Sequence, residues 1–166
     1  MIRRAIAFLL VFGILQFGWQ ALDGSAVARF IIERGVVAPA VGVAQWLTPG
    51  LGVHASGNRL SEPTGALAIV NGCDGMETLF LLVAGFCVAP LPVRSRLAGI
   101  LVGTPIVYIL NQLRILALFY ARHRSGDLFD VLHAIVTPIV MIFAIAAFYY
   151  YWLHHDRRPP AATISA

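Results

Sequence analysis

Long uninterrupted apolar runs alternate with short polar stretches along the chain, and four of the runs are long enough to cross a membrane. They cover about 5–22, 75–91, 97–120 and 131–153. A helix rises 1.5 Å per residue, so ~20 residues cross a hydrocarbon core ~30 Å thick. The pattern predicts an all-α polytopic membrane protein with about four transmembrane helices, forming a single domain over residues 1–166. The last run ends in Tyr149, Tyr150, Tyr151 and Trp152, ring types that favour the headgroup layer.

The longest polar interruption is the segment 23–74. Its first part, Ser25 to Leu47, is apolar with Arg29, Glu33 and Arg34 interspersed. It is expected to be an amphipathic helix lying in the interface, or a short helix buried against the bundle. Thr48 to Val70 then turns to glycine, proline and short apolar runs, which predicts a short β-hairpin or an extended loop leading into Cys73. Pro159 to Ala166 is expected to be a disordered tail.

Composition sharpens the picture. Hydrophobic residues make up 59% and charged residues 12%, against roughly 25% charged in an average soluble domain. The basic side chains are twelve arginines with no lysine, and the net charge is +4. The arginines fall singly or in pairs at the ends of apolar runs, as membrane-flanking residues do, so a nucleic-acid partner is excluded and membrane lipid expected. Arg3 and Arg4, Arg94 and Arg96, and Arg157 and Arg158 share one side of a four-span protein, which should be the cytoplasm. The opposite side receives 23–74 and the loop Ala121 to Asp130. Arg29, Arg34, Arg59, Arg122 and Arg124 also fall there, but over much longer loops. The first run, followed by Ala26-Val27-Ala28, also resembles a cleavable secretory signal. That site lies well beyond the end of a long run, so a retained span is expected. Either way the next segment emerges outside.

Three residues carry candidate chemistry. Arg114 lies inside the third run, where a charge costs at least ~2.5–3.5 kcal/mol unless it faces a bundle interior or snorkels out. Asn111, three residues earlier on the same helical face, is expected to hold its guanidinium. Cys73 lies in Asn71-Gly72-Cys73-Asp74-Gly75 at the outer mouth of the second run. A helix N-terminus there would favour its thiolate, whereas Asp74 and Glu77 would oppose it. His133 opens the fourth run, and Asp130 could orient its imidazole and cap the helix. Each residue taken alone has an ordinary structural explanation. Topology nonetheless puts all three near one membrane face, and a cysteine, a histidine and an arginine together suit acyl transfer through a thioester. Cys87, amid apolar neighbours, is expected to be packing. His123, His54, His154 and His155 are weaker candidates. No metal-binding or nucleotide-binding motif is present in the sequence, and the chemistry needs no cofactor.

The stretches Asn71-Gly72-Cys73-Asp74-Gly75, Leu110-Asn111-Gln112-Leu113-Arg114-Ile115 and Phe129-Asp130-Val131-Leu132-His133 resemble the exosortase/archaeosortase family. The resemblance covers roughly Ala66 to Leu153. It implies that Cys73 is the nucleophile, Arg114 the transition-state or substrate-positioning residue and His133 the acid/base. It also implies partners that are exported proteins bearing a C-terminal sorting signal: a short motif, a transmembrane helix and a basic end. The site would then face the periplasm from the inner membrane. Many members have more spans and carry Ser or Thr where this chain has Asp74. Both departures resemble the compact exosortase H subgroup, whose substrates carry an IPTL-type signal. Two other functions fit the residues: a transport or assembly protein with a structural Arg114, and an intramembrane cysteine protease that releases its product to water.

Overall fold

The computed structural model describes residues 2–70 and 72–155. Asn71, the Arg157 and Arg158 pair and the tail Pro159 to Ala166 lie outside the described residues. The chain is mainly helical, with one small sheet. Helix α1 spans Ile2–Ala21. Helix α2, Ala26–Phe30, is capped by the Ser25 hydroxyl, which accepts from the Ala28 amide. It continues through a π-helical stretch, Ile31–Val37, into α3, Ala38–Leu47. Strands β1 (His54–Ser56), β2 (Arg59–Glu62) and β3 (Gly65–Ala68) follow, then α4 (Met76–Val88) and the long α5 (Val93–Arg124). Helix α6 (Gly126–Val131) passes through a second π-helical stretch, Leu132–Val136, into α7 (Thr137–His155).

Among the described residues, three helices are long and apolar enough to cross a membrane: α1, α5 and the continuous stretch Gly126–His155. Large apolar side chains such as Leu10, Phe17, Leu101, Ile109 and Phe143 are exposed on them. That is the reverse of a water-soluble surface and suits contact with lipid. The second expected span is shorter than the sequence suggests. Helix α4 has 13 residues and stops before Pro90 and Pro92, which lack amide donors and disfavour helical geometry in the residues preceding them. Arg96 closes its end, donating to the carbonyls of Leu91 and Cys87. Cys87 itself is exposed on α4 rather than packed in the interior.

The expected loop from Ala121 to Asp130 is nearly all helix. Only Ser125 is extended, and its hydroxyl caps α6 through the Leu128 amide. The expected hairpin is a three-stranded antiparallel sheet in the order β1-β2-β3. Ser56 pairs with Arg59 across a two-residue turn, where Gly57 takes φ +58, a value costly for other residues. Glu62 pairs with Gly65 across the second turn. Of the four terminal aromatics, Tyr150 and Tyr151 face outward. Tyr149 packs edge-on against Phe86, and Trp152 donates to the Ser95 hydroxyl.

Both π-helical stretches lie immediately before a proline. Pro39 and Pro138 have no amide for the carbonyl four residues back, and their rings crowd that carbonyl. The chain widens instead: Ala38 donates to Glu33 and Thr137 to Leu132, five residues back. Near Pro39 the freed carbonyls are used for docking. The Tyr108 hydroxyl donates to Gly35 and the Gln112 amide to Val36, which fixes this helix against α5.

Two buried clusters hold the fold. The first joins α1, α3, the sheet and α5 around Val37, Ala40, Leu60, Ile69 and Phe119. The second joins α4, α5 and α7 around Leu82, Phe86 and Met141. In lipid, helix association rests on close packing, so small residues matter. A Cβ on Gly103 would lie 2.6 Å from Leu82 Cδ2 and 2.8 Å from Phe148 Cε1. Gly99, one turn earlier, makes the same room for the Phe86 ring.

Candidate active site

The turn between β3 and α4 carries Cys73. Gly72 and Gly75 both adopt left-handed backbone, with φ +89 and +85, so the chain reverses tightly around the thiol. The Cys73 amide closes this turn on the Val70 carbonyl at 2.9 Å. Gly75 also lies against α5, where a Cβ would come 2.7 Å from Asn111 Cγ. Cys73 therefore precedes α4 by three residues, in the turn at the mouth of the second run.

Asp74 is buried and held on both oxygens. The Trp19 indole donates to Oδ2 at 2.8 Å, and the Met76 amide donates to Oδ1 at 3.1 Å. Helix α1 is thus joined to the cysteine turn by a buried, charge-assisted hydrogen bond. Sequence reasoning missed this contact. The available signal was an indole at the outer end of the first run and a carboxylate that needs a donor.

Arg114 reaches the turn from α5. Its Nη1 donates to the Gly72 carbonyl at 3.0 Å, and its Nη2 lies 3.8 Å from Cys73 Sγ. His133, in the π-helical stretch before α7, brings Nδ1 to 3.8 Å from the same sulfur. Its ring stacks on Phe129, with centroids 5.5 Å apart and planes 7° from parallel. The three residues therefore meet at one sulfur, from segments 41 and 60 residues distant in sequence.

The two supporting residues are placed differently from expectation. Asn111 is buried against Gly75, and Arg114 donates to the cysteine turn instead. Asp130 is exposed within α6, and among the described residues no hydrogen bond joins it to His133. Ser125, not Asp130, caps the helix. Of the other histidines, His123 bonds the Phe119 carbonyl and the buried Glu62 carboxylate, which ties the sheet to the end of α5. Arg122 on the same turn donates to the Ala66 carbonyl. His54 bonds the Gly52 carbonyl at the sheet edge.

Burial pushes the Cys73 thiol above its ordinary pKa. The Arg114 guanidinium opposes that rise and the Asp74 carboxylate adds to it. That direction holds the resting sulfur toward its protonated form, so any nucleophilic use of it calls for a base to take the proton. The imidazole 3.8 Å away is suited to that task. Unliganded catalytic pairs are often this long and tighten when substrate binds. The Arg114 guanidinium, with its Nε buried and unpaired, supplies fixed positive charge beside the sulfur. Among the described residues no cluster of His, Cys, Asp and Glu could hold a metal ion.

No curated protein and no solved structure matches the chain. A family model described as transmembrane exosortase matches residues 2–150, a stretch that includes Cys73, Arg114, His133, the whole of α1 and α5 and most of Gly126–His155. With nearly its whole length matched, the chain belongs to the transmembrane exosortase family.

Proposed function

We propose that this protein is a membrane-embedded cysteine transpeptidase or protease that cleaves the C-terminal sorting signals of exported proteins. The site faces outward from the inner membrane. The observation that carries this is the convergence of His133 Nδ1 and Arg114 Nη2 on Cys73 Sγ, each at 3.8 Å. Membership of the exosortase family supports a sorting role. The orientation rests on Arg3, Arg4, Arg94 and Arg96, which flank the ends of α1, α4 and α5 remote from the sheet.

The reaction follows from the arrangement. His133, protonated on Nε2, accepts the thiol proton at Nδ1 as Cys73 Sγ attacks the scissile carbonyl carbon. The carbonyl oxygen becomes an oxyanion, stabilised by the Arg114 guanidinium. Collapse of this intermediate breaks the C–N bond. His133 gives its proton to the departing amine, which leaves on the substrate's transmembrane end. Cys73 is left as a thioester of the exported part. An acceptor amine or water then loses a proton to His133 and attacks the thioester carbon. The sulfur leaves and recovers its proton. An amine acceptor makes this a transpeptidation, and water makes it a hydrolysis.

The test is co-expression with a tagged protein that ends in a sorting signal, at matched membrane levels. The wild-type chain should shorten the substrate, and Cys73→Ala, Arg114→Ala and His133→Ala should not. Equal processing by all four would refute the proposal. Mass spectrometry of the new C-terminus separates transfer from hydrolysis.

A further inference from the structure

Two cavities of different character meet at the cysteine turn. The outer one, of about 130 Å³, lies beneath the end of β3. Leu67, Ile69, Leu118 and Phe129 give it an apolar wall, and Cys73 and His133 form one side. The second, of about 100 Å³, opens on the other flank of the turn, where Gly72, Gly75 and Arg114 line it beside Glu77. This second cavity continues inward. It shares Thr78, Leu81 and Ile142 with an apolar groove of about 280 Å³ between α4 and α7, which extends to Gly85, Ala146 and Tyr149. Phe8 of α1 forms the groove's opposite lip. A further hollow, lined by Phe8, Val88 and Tyr149, carries the groove on to Arg4 and Pro90. The cysteine turn therefore lies between a small apolar chamber and a groove that runs along the helices.

We infer that a substrate crosses Cys73 in one fixed direction. An apolar side chain ahead of the scissile bond fills the outer chamber, and the hydrophobic helix behind the bond lies in the groove between α1 and α7 over α4. The inference rests on the proposed peptide-bond chemistry and adds where each half of the substrate lies. Three features choose the occupants. The outer chamber is small and apolar and touches both Cys73 and His133, so it fits an aliphatic side chain adjoining the scissile carbonyl. The groove runs along the helix axes among lipid-facing surfaces, so its occupant is a membrane-spanning segment and not a soluble peptide. The two flank the turn that carries Cys73, one lined by Cys73 itself and the other by Gly72 and Gly75, so a chain lying in both passes over that turn and brings a peptide bond to the sulfur. Among the described residues, the inner mouth carries Arg4 and no acidic side chain. A basic substrate end is therefore left to the headgroups.

Photo-crosslinking tests the path. A photoreactive amino acid is placed at Leu118, Ala146 or, as a lipid-facing control, Leu101, in the Cys73→Ala chain co-expressed with a tagged substrate. Processing by the chain with Cys73 intact is measured in parallel. The Leu118 probe should capture residues just ahead of the cut, the Ala146 probe residues of the hydrophobic helix, and the Leu101 probe only lipid. Filling the groove with Ala146→Trp should lower the capture at Leu118 and the processing rate by about tenfold or more. Processing without substrate capture at Ala146, or capture there of lipid alone, would overturn the path and leave the chemistry standing. Capture at both probes without processing would overturn the chemistry and leave the path standing. The absence of both would overturn each.

Discussion

The bond between Trp19 and Asp74 gives the sharpest test of how the site is held. Trp19→Phe keeps an aromatic ring of similar shape in a position only 6% exposed but removes the indole donor. Asp74, itself 6% exposed, then keeps only the Met76 amide on its other oxygen. Leaving a buried acceptor short of a partner costs about 1–3 kcal/mol, and a charged acceptor lies toward the upper end. Asp74→Asn removes the charge and weakens the same bond. If the two side chains act through one hydrogen bond, the double variant loses no more than the worse single variant. The coupling should be about 1.5–3 kcal/mol. Thermal unfolding in detergent micelles reads this directly. A loss of 1 kcal/mol lowers Tm by ~2–4 °C at this chain length. Each single variant should therefore melt roughly 4–10 °C low, and the double variant at about the same temperature as the worse one. Additive shifts, or an unchanged Tm for Trp19→Phe, would refute the claim that α1 holds the cysteine turn. The same result would bear on the first span. A chain cut after Ala28 would lack Trp19 and leave Asp74 buried without its donor, so a held turn requires a retained α1.

Other expectations follow from the same geometry. Alkylation of Cys73 should show a pH midpoint above that of an ordinary thiol. Arg114→Gln removes a lowering charge and should raise it further, whereas Asp74→Asn removes a raising charge and should lower it; a midpoint unmoved by both would contradict the electrostatic account. Pro138→Ala restores an amide in the first turn of α7 and allows the widened turn to close, which displaces the His133 ring. Processing should fall by about 10²-fold with the spans intact, and unchanged processing would show that the turn does not position the ring. Gly103→Leu drives a side chain into Leu82 and Phe148 and should cost about 1–3 kcal/mol, measured as a lower Tm in micelles. Deleting Leu51 to Gly65 removes most of the sheet and should abolish processing while membrane insertion persists; normal processing would show that the sheet is dispensable.

Much of the helical architecture was legible because apolar run length is a direct consequence of hydrocarbon thickness. The bounds of α1 and α5 differ from the runs by a few residues, since helices continue through Arg94, Arg96, Arg122 and Arg124 once past the apolar limit. What the pattern could not give were features set by backbone chemistry. The prolines at 90 and 92 shorten α4, and those at 39 and 138 widen the helices before them, yet all lie within apolar stretches that hydropathy treats as uniform. The middle strand, β2, was hidden because Arg59 to Glu62 is polar in sequence, although Leu60 is fully buried and Glu62 is bonded to His123. At the site, the charge within the third run drew attention to Arg114 without indicating its partners. Its bond to the Gly72 carbonyl depends on a left-handed turn that only the folded chain displays. Asn111 and Asp130 were attractive by helical spacing alone, and spacing along one helix carries no information about which neighbour packs against it.

The brevity of α4 has a consequence for the membrane itself. Its 13 residues extend about 20 Å, against ~30 Å for the hydrocarbon layer. The polar turn at its start and the arginine-closed loop at its end are too close together to rest at opposite surfaces of an undisturbed bilayer. Hydrophobic mismatch of this kind draws lipid headgroups inward or leaves the polar end sheltered by neighbouring helices. With Arg94 and Arg96 placed at one surface, a helix this short would set the cysteine turn below the other. Bilayer thickness thereby becomes a variable of catalysis, and shorter acyl chains should bring water and substrate to the sulfur more readily than longer ones.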